Sequence, residues 1–442
     1  MNESRLSDLA RLPPEPVDRL THPFGRFLRI ETLGGMVLLV AALIAFVLSN
    51  SPWAHTFAEF WESPVGLRFG TFEFVRSLRE WINDALMTGF FFLVAVELKR
   101  ELVLGELSNP RIAALSIAGA LGGMIMPAAL YLLLQAGQAG GAGWGTVMAT
   151  DTAFVIGCLA LLGRRVPPVL GVFMLSLAIV DDIGAILVVA IGYSEQIAWL
   201  PVAFAVVCII CIATLARIGV RSMHAYFAMG VLVWLAIDAS GIHATIAGVI
   251  LGLLTPARRW VSDERLYAIL DEVVAHPDAA ADSGDTKDRE TLQVAATAAR
   301  ETLPPVERLE IALHPWVSFV VMPVFALANA GLPIAFTGLE VSLTTTIFLA
   351  FVVGKPAGIL TFCWLAVRMG IAARAPGLSW GVLAGGSVLG GIGFTMALFI
   401  AGRAFDQHLI DSAKAGIFAA SIVSGALGVA LLAWVSRSGS RC

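Results

Sequence analysis

Charged residues are scarce in this sequence. Asp, Glu, Lys and Arg make up 14% of its 442 residues and hydrophobic residues 58%, whereas soluble domains carry roughly 25% charged residues. Apolar runs recur along the whole chain, and roughly 20 apolar residues in a helix cross a bilayer. The composition therefore excludes a soluble enzyme with a single membrane anchor and predicts an all-α polytopic membrane protein that sits in a lipid bilayer.

Motifs for enzyme chemistry are also absent. The sequence contains no phosphate-binding loop, and its polar insert at 258–310 contains neither a hydrolase nucleophile elbow nor a zinc motif, each of which has a recognisable spacing. Its five cysteines lie mostly within apolar runs, where cysteine behaves as a small hydrophobic residue. We therefore expect no enzymatic activity, no cofactor and no nucleic-acid partner.

Twelve apolar segments are candidate transmembrane helices, of which the seventh and the eighth are short. They lie near residues 33–48, 81–96, 112–134, 144–162, 169–191, 199–216, 223–237, 242–254, 314–330, 343–367, 380–401 and 415–434. The resulting division is an N-terminal tail at 1–29, spans one to eight at 30–257, a polar insert at 258–310, spans nine to twelve at 311–436 and a C-terminal tail at 437–442.

Basic residues indicate how the chain is oriented. They concentrate in the two tails and in the loops that follow even-numbered spans, whereas the loops at 137–143, 193–198 and 333–342 contain none. Because Lys and Arg mark the cytoplasmic side of a membrane protein, both termini are predicted to be cytoplasmic.

The first loop on the external side, at about residues 66–76, differs from the others. It mixes polar and aromatic residues and contains two glycines. This pattern favours a small external β-hairpin, whose strand edge could pair with a second copy of the chain. An ordinary surface loop is the alternative.

The insert at 258–310 has a different composition from the spans. It is rich in Asp, Glu, Ala and Thr, with an acidic run at 282–290. We predict a cytoplasmic segment that is helical near 266–274, disordered in the middle and used as a solvated linker.

Two adjacent aspartates, Asp181 and Asp182, lie in the middle of the fifth span. An ionised aspartate at the centre of a membrane helix costs about 2.5–3.5 kcal/mol, so two in succession indicate a functional site. Neighbouring helical residues point about 100° apart, so one carboxylate can face a cavity while the other faces a partner. We interpret the pair as the floor of an ion site; a hydrogen-bonded pair that serves helix packing is the alternative.

Other polar side chains also occur at membrane depth. They are Asp151 in the fourth span, Lys355 in the tenth, Asp84 and Glu97 toward opposite ends of the second, and His243 at the start of the eighth. Each is expected to face the bundle interior and to have a partner. Lys355 is the only lysine deep in an apolar span, so it is the natural partner of one aspartate. For Glu97, a position at the membrane interface is an equally good interpretation.

The fourth and the eleventh spans carry residues that interrupt a helix. The fourth contains Thr150-Asp151-Thr152, whose side chains compete for backbone hydrogen bonds, and the eleventh contains a glycine-rich run at 390–395. Each is the middle span of a triplet, so spans three to five and ten to twelve are predicted to be inverted-topology repeats with two interrupted, crossing helices. Close helix packing through glycine is the alternative; it explains residues 119–123 well but Thr150 and Asp151 poorly.

These features predict competition between a metal ion and protons. In a crossing of broken helices, Asp151 would balance the positive helix ends and Lys355 the negative ones. Asp181 and Asp182 then remain as oxygen ligands for a monovalent cation such as Na⁺ or Li⁺, and the same carboxylates bind protons. If only loaded forms reorient, competition gives obligatory exchange, driven by an ion gradient.

Several motifs, in order along the chain, resemble the bacterial Na⁺/H⁺ antiporter family NhaA. They lie at residues 81–87, 97–101, 149–154, 179–185, 241–248, 313–316, 325–331, 354–356 and 391–396. The resemblance extends from about residue 28 to residue 433, and the motifs are jointly specific.

The resemblance implies a site and a reaction. Asp182 would be the principal cation ligand, and Asp181 would take part in proton exchange and pair with Lys355. Thr150 and Asp151 would belong to the unwound crossing. The reaction would be electrogenic exchange of cytoplasmic Na⁺ or Li⁺ for external protons across the bacterial inner membrane.

The resemblance also implies regulation and assembly. The residues of a cytoplasmic pH-response cluster would be Glu97, Arg100, Glu310 and His314. The external hairpin would be a homodimer contact. Ile311 stands where the family often has a second histidine, which puts the pH of activation in doubt.

Two other functions are alternatives for a membrane protein with buried aspartates. An intramembrane aspartyl protease needs two carboxylates that share a proton, which a neighbouring Lys355 would disfavour. A sodium-coupled symporter of an organic solute would need a further polar or aromatic pocket, which the spans do not obviously supply.

Overall fold

The computed structural model describes residues 31–439 except 70–71, 106–109, 194–196, 219–222, 260, 275–285 and 334–338. The predicted N-terminal tail, the last three residues of the predicted C-terminal tail and the middle of the insert lie outside the described residues. The described chain is almost entirely helical, with one small sheet.

The N-terminal part contains the sheet and the first interrupted helix. Its first elements are α1 (Glu31–Ser49), α2 (Ala54–Glu62), β1 (Pro64–Phe69), β2 (Phe72–Ser77), α3 (Leu78–Val103) and α4 (Pro110–Leu134). They are followed by a 3-10 helix (Ala139–Val147), α5 (Thr152–Leu162), α6 (Pro168–Gly192), α7 (Trp199–Ile218), α8 (Met223–Ala239) and α9 (Thr245–Leu254).

The C-terminal part begins with the insert. Its helices are α10 (Asp263–Val274), α11 (Thr286–Glu301), α12 (Pro305–Asn329), α13 (Val341–Arg368), α14 (Trp380–Leu389), α15 (Phe394–Ala404) and α16 (Gln407–Gly439). Helix α10 agrees with the helix predicted near 266–274, whereas α11 was not predicted. Helix α12 begins before the predicted ninth span, so Glu310 lies on it.

Seven of the described helices are long and apolar enough to cross a membrane, and the number is ten if each of three bent helix pairs is one span. Helices α8 and α9 are apolar but shorter. The count of twelve spans and the inverted repeats stay predictions.

Two of the bent pairs coincide with the interruptions predicted in the fourth and eleventh spans. The 3-10 helix and α5 meet at 48°, and α14 and α15 meet at 47°. The first half of the earlier pair is a 3-10 helix that begins at Ala139, because its four glycines, at 140, 141, 143 and 145, give an α-helix little support. The third bent pair, α1 with α2 at 116°, was not predicted.

The predicted hairpin is confirmed as a two-stranded antiparallel sheet. Pro64 pairs with Ser77 at its open end, and Phe69 pairs with Phe72 at the turn. Ser77 and Glu80 then form a capping box that starts α3, so the hairpin leads directly into a long apolar helix.

Helices α4 and α13 cross at glycines. A Cβ atom on either Gly122 or Gly358 would collide with the backbone carbonyl of the other, so the two backbones touch, as small residues permit in membrane helices. The packing interpretation of residues 119–123 is therefore correct. One turn from this crossing, α13 has a π-helical segment at Ala350–Gly354, immediately before Lys355 and Pro356. A widened turn accommodates the missing N–H of the proline.

Candidate functional site

The breaks in the two interrupted helices lie against each other. Asp151 donates its backbone N–H to the carbonyl of Ile392 at 2.7 Å. The hydroxyl of Thr150 lies 3.2 Å from the carbonyl oxygen of Gly390. Residues that leave one helix thus hydrogen-bond with residues that leave the other, and both interruptions are satisfied inside the protein, as membrane depth requires.

One carboxylate caps both broken helices. Asp151 is 1% exposed, and its Oδ1 accepts the N–H of Phe154 at 3.2 Å, which caps the start of α5. Its Oδ2 accepts the N–H of Thr395 at 3.0 Å in the first turn of α15 and also the Thr395 hydroxyl. The N-terminal ends of two helices therefore point their partial positive charge at a single acidic side chain.

Lys355 makes an ion pair at the same depth. Its Nζ lies 2.9 Å from Oδ2 of Asp181, and both side chains are fully buried. Lys355 also donates to the carbonyl of Met148, at the C-terminal end of the 3-10 helix. A cation thus faces the negative end of a broken helix, which is the favourable orientation. The predicted pairing of Lys355 with one of the aspartates is present, and the aspartate is Asp181.

A threonine completes the surroundings of Asp181. The Thr150 hydroxyl lies 2.7 Å from the same Oδ2 atom that Lys355 contacts. Its single proton can be donated either to this oxygen or to the Gly390 carbonyl. Thr150 therefore links the carboxylate to the second break, which is the one between α14 and α15.

Asp182 lies next in the chain but has no comparable partner. It is 3% exposed, and Oδ1 of both Asp181 and Asp182 is buried without a hydrogen-bond partner among the described residues. Unsatisfied oxygens at this depth require a proton, a cation or water, since an unpaired buried carboxylate is costly. The arrangement can therefore hold a hard cation or protons at the paired aspartates.

Further oxygens for such a cation would come from groups other than carboxylates. The described residues contain no cluster of three or more His, Cys, Asp or Glu side chains that could hold a metal ion. Backbone carbonyls at the breaks, hydroxyls and water are the remaining donors, and these are the ligands that hard cations accept.

The four residues assigned by resemblance to a pH-response cluster lie on two helices that pack together. Arg100 on α3 contacts Glu310 on α12 at 2.7 Å and Glu101 at 2.8 Å. Glu97 lies one turn before Arg100, and His314 lies one turn after Glu310; both are half-buried. The Arg100–Glu310 pair is therefore formed, and the other two residues flank it on their own helices.

Asp84 belongs to a separate network near the hairpin. It contacts Arg76 of β2 at 2.9 Å and Arg403 at the end of α15, and Arg76 also contacts Asp238 of α8 at 2.6 Å. Asp84 lies in a π-helical segment, Ile82–Leu86, that widens the first turns of α3. His243 lies near this network and has its Nε2 3.0 Å from the carbonyl oxygen of Tyr193.

Residues 25–432 match the family model described as Na⁺/H⁺ antiporter 1. The chain is 57% identical over 441 residues to the Na⁺/H⁺ antiporter NhaA of Rhizobium meliloti (strain 1021), with 100% of both chains covered. The chain belongs to the NhaA family of Na⁺/H⁺ antiporters. It is also 58% identical to NhaA 2 of Acidiphilium cryptum (strain JF-5), over 97% of this chain and 95% of the relative, and 54% identical to NhaA 2 of Vibrio vulnificus (strain CMCP6), over 95% and 94%.

Reasoning from the sequence missed several residues of this NhaA-family site. Thr395 is noted above only as the end of a glycine-rich run, although a hydroxyl side chain two residues after the last glycine is a signal for a side-chain hydrogen bond at a helix start. Arg76 and Arg403 carry no signal in the sequence that points to this site. Their partner Asp84 is 319 residues from Arg403 in the chain, and no local pattern connects the two.

Proposed function

We propose that this protein exchanges cytoplasmic Na⁺ or Li⁺ for external protons at Asp181 and Asp182. The observation that supports this most strongly is the pair of adjacent, buried carboxylates beside a fully buried lysine, where two interrupted helices meet. Membership of the NhaA family supports Na⁺ and H⁺ as the transported ions.

The exchange would follow from competition for the same oxygens. In the cation-loaded form, Asp182 holds Na⁺ through its unpartnered oxygen, Asp181 adds a second carboxylate, and both are ionised. In the proton-loaded form, Asp182 carries a proton, and Asp181 is paired with protonated Lys355 at 2.9 Å. Since a buried site cannot hold a cation and the protons together, each ion displaces the other.

Lys355 would make the exchange electrogenic. When Na⁺ approaches, its positive charge replaces that of the ammonium group beside Asp181, and Lys355 can lose its proton. Release of one proton from Asp182 and one from Lys355 for each Na⁺ bound moves one net charge per cycle. The transmembrane potential then acts on the reaction at about 2.3 kcal/mol per charge per 100 mV.

Alternating access would use the crossing of the broken helices. The breaks hydrogen-bond with each other at Asp151–Ile392 (2.7 Å) and through the Asp151 carboxylate to Thr395. Helices α5 and α15 can tilt about this contact while the charge compensation by Asp151 persists. The site would face one side at a time.

Regulation by pH would depend on the cluster at the other end of α3. Arg100 and Glu310 form an ion pair between α3 and α12, and a change in the protonation of Glu97, Glu310 or His314 would alter how these helices pack. Helix α3 also carries Asp84 at its beginning, so movement of α3 would reach both ends of the bundle.

The membrane arrangement would be twelve spans in the bacterial inner membrane with both termini cytoplasmic. The seven long apolar helices, the three bent pairs counted as one span each, and the short apolar helices α8 and α9 together give that number. The hairpin would contact a second copy through its strand edge to form a homodimer. The chain would use no cofactor.

Proton flux in proteoliposomes tests the proposal. Purified protein is reconstituted with a pH-sensitive dye inside, and Na⁺, Li⁺ or K⁺ is added outside at several pH values. We expect Na⁺ and Li⁺, but not K⁺, to drive proton movement, with a rate that changes when a membrane potential is imposed. No response of the wild-type protein to Na⁺ or Li⁺ would overturn the proposal.

A site variant localises the effect. Asp182→Asn should abolish cation-driven proton movement while the protein still inserts and purifies normally. The matched control is Asp263→Asn, at an exposed aspartate on α10, which should transport as the wild type does. Transport at the wild-type rate by Asp182→Asn would exclude Asp182 as the principal ligand.

A further inference from the structure

A serine on α16 lies buried and unsatisfied beside the second break. Ser424 is 0% exposed, and its hydroxyl has no hydrogen-bond partner within the described part of the chain. A buried hydroxyl that forms no hydrogen bond loses the free energy of its contacts with water, so such groups generally have a partner. Ser424 faces Gly391, because a Cβ atom on Gly391 would lie only 2.5 Å from Ser424 Oγ.

A backbone carbonyl without a helical donor lies at the same point. In the π-helical segment of α13, the N–H of Lys355 bonds to the carbonyl of Ala350, so it does not serve Phe351. The next residue, Pro356, has no N–H to donate. The Phe351 carbonyl oxygen is therefore left free by its own helix, and it lies 2.7 Å from where a Cβ atom on Gly391 would be.

These two oxygens face each other across a glycine. Both lie close to one point beside Gly391, yet they form no hydrogen bond with each other. A hydroxyl can donate and accept, whereas a carbonyl only accepts, so a species that bridges them must supply a proton to the carbonyl. Water does this, and bridging waters are the usual partners of buried polar groups left unpaired by the protein.

We propose that Ser424 and the Phe351 carbonyl hold one buried water beside Gly391, and that Ser424 thereby acts as a positioning residue for Lys355. The water would join two elements, α16 and the π-helical turn of α13, directly beside the break between α14 and α15. Phe351 lies one turn before Lys355. A water that holds the Phe351 carbonyl in place would therefore hold the helical turn that positions Lys355 beside Asp181. The inference of a positioning role rests on the proposed function; the water itself does not.

A second serine on α16 supports this role for the helix. Ser421, one turn before Ser424, accepts the N–H of Phe394 at 3.2 Å, at the start of α15. The second break is therefore contacted by Asp151 on one side and by α16 on the other. Ser421 is satisfied by the protein alone, and Ser424 is the member of the pair that needs a further partner.

The first test is direct. An experimental map of the wild-type protein, at a resolution that reveals ordered water, should contain one water within hydrogen-bond distance of both Ser424 Oγ and the Phe351 carbonyl. Direct contact between the two groups, or apolar density in the space, would overturn the proposal. A metal ion there, with several oxygen ligands at short distances, would also overturn it. This measurement does not depend on transport.

The second test separates positioning from general stability. Ser424→Ala should lower the maximal transport rate about three- to tenfold, the size expected for one lost hydrogen bond, and should shift the pH profile, with little change in the KM for Na⁺. Ser424→Thr, which keeps the hydroxyl, should recover most of the rate. The matched control is Ser387→Ala on α14, a serine that is equally buried but donates to the Leu383 carbonyl of its own helix at 2.7 Å.

The outcomes are distinguishable. A rate and pH profile unchanged in Ser424→Ala would overturn the positioning role even if the water is observed. Equal losses in Ser424→Ala and Ser387→Ala would also overturn it, because the effect would then reflect loss of any buried serine. If the wild-type protein itself fails to exchange Na⁺ for protons, the proposed function fails while the map still decides on the water.

Gly391→Ala offers an independent variant. Its methyl carbon would lie only 2.5 Å from Ser424 Oγ and 2.7 Å from the Phe351 carbonyl oxygen. The carbonyl is backbone and cannot rotate away, so the two oxygens should be displaced from the water and transport should be lost. Gly425→Ala is the control on α16, since its methyl would meet only Ile392 at 3.7 Å. Transport at the wild-type rate by Gly391→Ala would contradict the proposal. If the variant does not purify, Ser424→Ala and the map still decide.

Discussion

Two groups of charges in this protein differ in how far water can reach them. At the crossing of the broken helices, Lys355 and Asp181 are both fully buried. Near the hairpin, Arg76 and Arg403 contact Asp84 with side chains 24% and 26% exposed against 12% for the aspartate. Both groups are held by residues distant in sequence, but only the first is closed off from solvent.

The difference teaches which charges can change during function. At the crossing, each charge depends on the other, because both side chains are closed off from bulk solvent that could replace a lost partner. A proton or cation that binds there changes the charge balance of the whole site. Near the hairpin, water can compensate for a lost contact, so the network can hold the ends of helices together without being a sensitive switch.

The largest effect is therefore expected from Lys355→Ala. This substitution leaves Asp181 buried without its cation, and removal of one partner of a buried pair typically costs about 3–5 kcal/mol. We expect a large drop in the melting temperature of the purified protein together with loss of transport. Lys355→Arg, which keeps the charge, is the control and should melt closer to the wild type. A melting temperature unchanged in Lys355→Ala would mean that the pair is not the isolated, buried contact described above.

Removal of both charges of the Lys355–Asp181 pair tests whether the stability loss comes from the unpaired carboxylate. In Lys355→Ala/Asp181→Asn no charge is left unpaired, so at least half of the lost stability should return, since neutral replacements of a buried pair are often tolerated. Transport should not return, because the exchange needs ionisable groups. The comparison is made by thermal melting of the single and double variants side by side. A double variant less stable than Lys355→Ala would show that Asp181 has other contacts of greater weight.

The two groups of charges also differ in how well they could be predicted. Asp181, Asp182 and Lys355 were identified from sequence because an ionisable residue within a long apolar run has a large energetic cost, and the cost itself marks the site. The helix breaks were predictable for a similar reason. Thr150, Asp151 and the glycine-rich run disfavour an α-helix within segments whose apolar composition predicts a membrane helix.

The network near the hairpin offered no such signal. Arg76 and Arg403 lie close to loops, where charged residues are expected, so nothing in the sequence indicates that they contact Asp84. The sharp bend between α1 and α2 also depends on tertiary packing, which the local sequence does not encode. Likewise, Thr395 is an ordinary residue in a membrane helix until its contact with Asp151 is known.

Within the network near the hairpin, the stability lost when an aspartate is neutralised should follow the number of its arginine partners. Asp84 has two arginine partners and Asp238 has one described arginine partner. We expect Asp84→Asn to cost about 1–2 kcal/mol and Asp238→Asn roughly half of that, as partly exposed pairs are weak. Melting at low and high salt checks this, because screening should reduce both losses. Losses as large as that of Lys355→Ala, and insensitive to salt, would remove the distinction between the two groups of charges.

The smallest effect on stability is expected at the pair between α3 and α12. Arg100 and Glu310 are 31% and 13% exposed and 2.7 Å apart, so Glu310→Gln should cost less than about 1 kcal/mol. Its effect should instead be on the pH profile of transport, and the reversed pair Arg100→Glu/Glu310→Arg should restore most of the profile. Reversal of Arg259 and Asp263, a more exposed pair 3.5 Å apart on the insert, is the control and should leave the profile as it is. If Glu310→Gln left the pH profile unchanged, this pair would join the network near the hairpin as a purely structural contact.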